Sequence, residues 1–230
     1  MFAALVAPLV TTGAEHQHEP PVVLAPGYAD LEFVAPAPGT YQLPTLRNAA
    51  DGAVIDEAGA AHRLHDYLGD RVVVLSFIYT TCSDVNGCPL AAYVLKRVQE
   101  RALADPSLHD RLRLVSLSFD PEHDTPDVMA AYAARLRADE SDWVFLTSSS
   151  DAALAPLLDA YDQFVIRDES GAISHTLRVV LIDRELRVRN IYSVSFLHAD
   201  TVLNDVRTLL LEVDRAASKS ASPAGPSAAG

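Results

Sequence analysis

The chain has 230 residues, 49% of them hydrophobic and 21% charged, a balance suited to one ordinary domain with extensions. That composition excludes global disorder and collagen-like or coiled-coil architectures. Asp and Glu outnumber Lys and Arg 31 to 18, for a net charge of −13; such a field repels phosphate backbones and anionic membrane surfaces, so nucleic acid is not an expected partner.

In chain order, Met1 to Val10 is an apolar run of signal-peptide length, followed by the small residues Thr12-Gly13-Ala14. No Lys or Arg precedes it, and it is too short to span a bilayer. Residues 1–14 read as an export signal or its remnant, with a disordered cytosolic end as the alternative; on the first reading the protein is expected in the periplasm or on the extracytoplasmic face. Any membrane association is then expected through the N-terminus alone. Residues 15–40 carry five prolines (20, 21, 26, 36 and 38) and no Lys or Arg, the pattern of an extended tether. The stretch 215–230 is small, polar and Pro/Gly-containing, and reads as a disordered tail.

Residues 41–214 alternate strand and helix signals. Arg71 to Tyr79 (RVVVLSFIY) is the near-continuous apolar run of a strand buried on both faces. Leu90, Val94, Val98 and Leu103 then form an apolar stripe at helical spacing. Leu112 to Phe119 predicts a second strand. Asp124-Thr125-Pro126 predicts a helix start with proline in the first turn, the helix running to about Ala138. A short strand at 143–146 and a helix at 152–161 follow. Thr176 to Asp183 and Leu186 to Tyr192 predict a hairpin turning at Arg184-Glu185, and residues 200–213 a closing helix. The β-α-β-α opening implies parallel strands and the late hairpin antiparallel ones, so the fold class is α/β with a mixed sheet flanked by helices.

Cys82 and Cys88 are the only cysteines, in Phe77-Ile-Tyr-Thr-Thr-Cys82-Ser-Asp-Val-Asn-Gly-Cys88-Pro89. They lie between a buried strand and the helix it feeds. A thiol there faces the partial positive charge of a helix N-terminus, which favours thiolate, the nucleophile of disulfide exchange and a ligand for soft metals. A structural bridge closing so short a loop contributes only about 2.4 kcal/mol in the loop-entropy model, little for a domain with this much core. The pair is therefore read as functional.

These residues resemble the Sco/SenC family of thioredoxin-like, copper-binding proteins implicated in cytochrome c oxidase assembly. The resemblance covers roughly residues 40–214. It rests on the cysteine segment, on Ser116-Leu-Ser-Phe-Asp120-Pro-Glu-His-Asp124-Thr125, and on His175 ahead of Thr-Leu-Arg-Val-Val-Leu-Ile-Asp183. It implies a thioredoxin-like fold and copper, Cu(I) or Cu(II), held by Cys82, Cys88 and His175. It further implies a copper-accepting partner such as an oxidase subunit. Two thiolates suit Cu(I) and an added imidazole suits Cu(II), whereas a structural zinc site usually takes a fourth ligand. The family spacing is Cys-x-x-x-Cys-Pro; here Ser83 to Gly87 separate the cysteines, and Gly87 gives the longer loop room to bulge. The residues ahead of His175 also lack the family's usual aspartate.

The alternative to copper delivery is a thiol–disulfide oxidoreductase, with Cys82 and Cys88 as a catalytic redox pair keeping client cysteines reduced and a thiol reductase as a further partner. A peroxidase-like or redox-sensing role is a third reading. Of the other candidates, Asp84 is expected to stabilise its turn, and Asp120 and Asp124 the strand–helix corner. His16 and His18 belong to a solvated tail, and His62, His65, His109 and His198 to the surface. His123 is not expected to ligate, and Trp143 and the tyrosines read as core or rim.

Overall fold

The run Val72-Val-Val-Leu-Ser-Phe-Ile78 is buried at every position and forms the centre of the fold. The computed structural model describes Tyr28 and residues 30–169 and 171–221. The expected export segment at 1–14 and the histidines 16 and 18 lie outside the described residues. Ten strands are present among those residues: β1 (Arg47–Asn48), β2 (Ala53–Asp56), β3 (Ala61–Arg63), β4 (Val72–Ile78), β5 (Leu112–Ser118), β6 (Trp143–Thr147), β7 (Val165–Arg167), β8 (Ile173–His175), β9 (Val179–Ile182) and β10 (Arg187–Tyr192). Four α-helices accompany them: α1 (Cys88–Leu103), α2 (Pro126–Leu136), α3 (Asp151–Ala160) and α4 (Ala199–Ala221).

Eight strands make one mixed sheet in the order β1-β10-β9-β4-β5-β6-β2-β3, and β7 and β8 pair separately. β4 runs parallel to β5 and antiparallel to β9, and β5 runs parallel to β6. Successive side chains of a strand face opposite ways, so one strand feeds two cores. Val72, Val74 and Ile78 join α1, α2 and α4 on one face, while Val73, Leu75 and Phe77 join Leu154 and Leu157 of α3 on the other. On α1, Leu90, Val94 and Val98 are buried as the stripe required, with Leu95 and Ala102 beside them; Leu103 is only partly covered. The two serines in the central strands are not left bare. Ser76 and Ser116 hydroxyls lie 2.9 Å apart, and Trp143 Nε1 donates to Ser116 Oγ at 3.1 Å. Such pairing offsets the cost of burying polar groups.

Because β4 and β5 are parallel, the chain leaves both at the same end of the sheet. The segment 79–87 and the segment 119–125 emerge there side by side, the position at which open α/β sheets present their sites. Asp124, fully buried, couples the two: its carboxylate accepts from the Thr80 amide at 3.0 Å, from the Thr80 hydroxyl and from Ser118 Oγ. Thr125 occupies the cap position of α2 ahead of Pro126, so Asp124 is freed from capping for this crosslink.

The strand expected from Thr176 to Asp183 is shorter than its sequence suggests. His175 ends a separate strand, β8, paired with β7 in the register Val165↔His175, and β9 begins only at Val179. The polar, short-stranded hairpin gave no period-2 signal long enough to read. The closing helix α4 continues to Ala221, into the stretch read as a tail. Within the stretch read as a tether, Tyr28 stacks on His198 at 4.7 Å, Gly39 N donates to Thr208 Oγ1 at 3.0 Å and Asn204 Nδ2 donates to the Pro36 carbonyl at 3.1 Å. That part of the segment lies against the domain.

Candidate metal centre

Cys82 follows the end of β4 by a short turn, its amide bonded to the Tyr79 carbonyl at 3.3 Å. The five intervening residues do bulge. Asp84 Oδ1 accepts from Asn86 N at 3.0 Å and the Asp84 carbonyl from Gly87 N at 2.8 Å, so Asp84 closes the turn as expected. The loop then enters α1 at Cys88, with Gly87 at the cap and Pro89 in the first turn, where no amide donor is needed. A Cβ placed on Gly87 would lie 3.3 Å from Cys82 Sγ and 3.2 Å from the Asp84 carbonyl oxygen. The missing side chain is the space into which the first sulfur folds.

His175 reaches the same point from the β7–β8 hairpin. Its Nε2 lies 3.9 Å from Cys82 Sγ and 3.9 Å from Cys88 Sγ, and the three donor atoms all fall within 4.8 Å of one another. An ion bound at roughly 2.0–2.3 Å by three donors holds them roughly 3.5–4 Å apart. The donor set therefore fits a small metal ion, and it is the one Cys/His/Asp/Glu group of this kind found among the described residues. The ring is oriented by three contacts. Nδ1 lies 3.2 Å from the Thr176 carbonyl, a bond that directs Nε2 to the sulfurs when Nδ1 carries the proton, and the ring sits between Phe119 at 5.0 Å and Tyr79 at 5.5 Å.

Electrostatics divide the cysteines. Hydrogen bonding from the Cys88 thiol, helped by His175 and the Cys88 amide, outweighs partial burial and holds the Cys82 thiol down to about 3. Cys88, only 1% exposed, is pushed the other way by its hydrogen-bonding interaction with Cys82, then by burial and the Cys82 charge. Of the two sulfurs in the metal-free site, Cys82 therefore gives up its proton the more readily. Burial lowers the affinity of His175 for a proton, but the Cys82 sulfur and the Thr176 carbonyl together raise it above the ordinary imidazole value. Tyr79 is raised too, by burial and then by Cys82.

The remaining histidines stay apart from this centre. His62 pairs with Asp56 at 3.1 Å, His65 Nε2 lies 3.1 Å from the Ala49 carbonyl, and His109, in the loop between α1 and β5, lies 3.2 Å from Asp110. His198 departs from its expected surface role: it is 7% exposed, stacked on Tyr28, with Nδ1 accepting from the Asp200 amide at 3.1 Å. Its position just before α4 makes it a buried cap, a place that a sequence-based surface assignment misses because Tyr28 comes from so far away.

Several supporting residues were invisible to sequence reasoning. Arg167 of β7 donates to Asp120 Oδ1 at 2.9 Å and to the Phe119 carbonyl at 3.3 Å, and Gln163 Nε2 donates to the Thr176 carbonyl at 2.6 Å. Arg167 fastens the histidine hairpin to the end of β5, and Gln163 closes the base of the hairpin beside His175. Their only sequence signal is a long side chain at the edge of an unread strand, shared by most surface positions. Tyr79 and Phe119 were more legible, since each ends a buried run in the parallel pair Phe77↔Leu117.

Residues 48–211 match the SCO1/SenC family model. A curated relative, the SCO1 protein homolog of Bacillus subtilis, is 24% identical over 144 residues, 61% of this chain and 72% of the relative. Among solved structures, a SCO1/SenC family lipoprotein from Bacillus anthracis aligns with a TM-score of 0.65 at 23% identity, over 74% of this chain and 99% of that one. Copper-bound ScoI of Arabidopsis thaliana aligns with a TM-score of 0.58 at 20% identity, over 73% of this chain and 98% of that one. These likenesses establish the thioredoxin-like fold of Sco proteins. With the family match spanning most of the domain and the cysteines and histidine brought together within it, the chain belongs to the SCO1/SenC family.

Proposed function

We propose that this protein binds one copper ion through Cys82, Cys88 and His175 and delivers it to a copper-accepting protein during assembly of a respiratory oxidase. The observation that carries the reading is the convergence of two sulfurs and one imidazole nitrogen, from two separated segments, within 4.8 Å. Soft thiolates favour Cu(I), and the imidazole extends the site to Cu(II). Three ligands leave the ion open on one side. An acceptor thiolate can bond to the copper as a bond to one of the three breaks, and the copper keeps its oxidation state throughout. Membership of a family of cytochrome c oxidase assembly proteins supports an oxidase subunit as the acceptor. The lipoprotein relative supports an extracytoplasmic location, periplasmic in a cell with an outer membrane.

The test is anaerobic competition for Cu(I) against a chromophoric chelator. Reduced protein is expected to take one copper per chain, Cys82→Ser and Cys88→Ser to lose it, and His175→Ala to bind more weakly. Failure of the intact reduced protein to compete overturns the reading.

A second reading rests on the divided protonation of the pair. The Cys82 thiolate attacks one sulfur of a client disulfide and expels the client's other sulfur as thiolate. Cys88, losing its proton, then attacks the mixed disulfide, leaving a Cys82–Cys88 bridge and a client reduced by two electrons. A thiol reductase would restore the pair. Turnover of a small disulfide that is unchanged in Cys82→Ser would dismiss this activity.

A further inference from the structure

Beside the sulfurs lies a cavity of about 230 Å³, lined by both cysteines but not by His175. Cys82 and Cys88 line it together with Ala92 of α1 and Tyr132, Arg135 and Leu136 of α2. Its surface is mainly apolar, and no carboxylate lines it. Arg135 is the one cationic side chain of the lining; it is exposed, and its guanidinium sits 5.2 Å from the centroid of the Tyr132 ring. A cation held over an aromatic face is ordered without being neutralised. Among the described residues Arg135 has no carboxylate within ion-pair distance, whereas its helix neighbour Arg137 is bound by Glu57 at 2.6 Å. In a chain of net charge −13, an ordered and unpaired cation at the mouth of the sulfur pocket is a local reversal of sign.

From this arrangement we infer that the groove between α1 and α2 docks a cysteine-containing segment of the acceptor protein that carries an acidic residue close to its cysteine. The inference rests on the copper-delivery reading. An apolar side chain of the segment fills the space against Ala92, Tyr132 and Leu136. The carboxylate pairs with Arg135, and the acceptor cysteine is thereby brought to Cys82, the less buried of the two sulfurs. Basic segments are repelled at the same mouth, which gives selectivity as well as orientation.

The test uses reduced, anaerobic full-length protein and dye-labelled peptides that share one cysteine and one apolar residue and carry Glu, Gln or Lys beside the cysteine. Fluorescence anisotropy is expected to rank Glu above Gln above Lys. An exposed ion pair is worth up to about fivefold in affinity, and the Glu preference should fade as salt is raised. Arg135→Glu should reverse the ranking, and Leu136→Ala should weaken all three peptides without changing their order. Equal binding of the three peptides, binding of none, or a ranking that survives Arg135→Glu overturns the inference. Cu(I) titration of both proteins is read separately. A failure to bind copper in the wild-type chain counts against the delivery reading, while the peptide ranking alone decides the groove.

Discussion

Arg167 and Asp120 join the two halves of the metal centre: the guanidinium on β7 donates to the carboxylate that follows β5, at 2.9 Å. The Asp120 side chain is 9% exposed and the Arg167 side chain 31%. The cysteines are fixed to the sheet and α1, but His175 is carried on a two-stranded hairpin outside the main sheet. This ion pair and the Gln163 bond therefore decide where the third ligand stands. Arg167→Ala leaves a buried carboxylate without its cation and should cost about 1–3 kcal/mol of stability. Its distinguishing effect is on Cu(II): the thiolate-to-copper charge-transfer band is expected to move toward that of His175→Ala, while Cu(I) held by two sulfurs is affected less. A band identical to wild type would show that the hairpin needs no such tie.

Gly87 is the position at which the widened cysteine loop succeeds. Gly87→Ala would put a methyl carbon 3.3 Å from Cys82 Sγ, so the sulfur must give way by a few tenths of an ångström. The fold should lose less than about 1 kcal/mol, since contacts of 3.2–3.4 Å are relieved by small shifts of the neighbouring loop atoms. Cu(I) affinity should fall several-fold in chelator competition, because the sulfur–sulfur spacing sets both metal bonds. Unchanged affinity would mean that the loop relaxes freely.

The protonation of the pair makes a prediction about reactivity. Cys82 is held well below the ordinary thiol range and Cys88 is pushed above it, so at mildly acidic pH the thiolate of the pair falls on Cys82. Brief alkylation of reduced, metal-free protein at pH 5 should therefore label Cys82 and leave Cys88 intact, as read by peptide mass spectrometry. Cys82 is also the more accessible of the two, so a denatured control is needed: there the selectivity should vanish and the rate at pH 5 should collapse toward that of an ordinary thiol.

Asp124 accepts three hydrogen bonds at a position with no solvent exposure. Asp124→Asn replaces one acceptor oxygen by a donor that faces donors. At least one buried group is then unsatisfied, at a cost of about 1–3 kcal/mol. For a domain of this size that corresponds to a fall in Tm of roughly 2–12 °C. Because Thr80 is released just ahead of Cys82, the variant should also bind copper more weakly than its stability loss alone explains. Thermal unfolding and chelator competition on the same samples separate the two effects.

What the sequence determined by itself was local. The buried run at 72–78, the apolar stripe of α1, the proline start of α2 and the hairpin of β9 and β10 are repeats of period 2 or 3.6, legible wherever they extend over a full turn or several strand positions. The thiols were legible for the same kind of reason, since two cysteines at a strand–helix junction carry their chemistry in their type and place. What only the tertiary structure decided was non-local. That a five-residue loop still brings Cys82 to Cys88 depends on space vacated at Gly87. That His175, 87 residues beyond Cys88, completes the set depends on a short hairpin fastened by Arg167 and Gln163. Strands of two or three residues carry too few side chains for a period to register, and ion pairs between distant segments leave no periodic trace. Their positions are fixed by loop closure and packing, and these become definite only once the sheet has placed its parallel strand ends side by side.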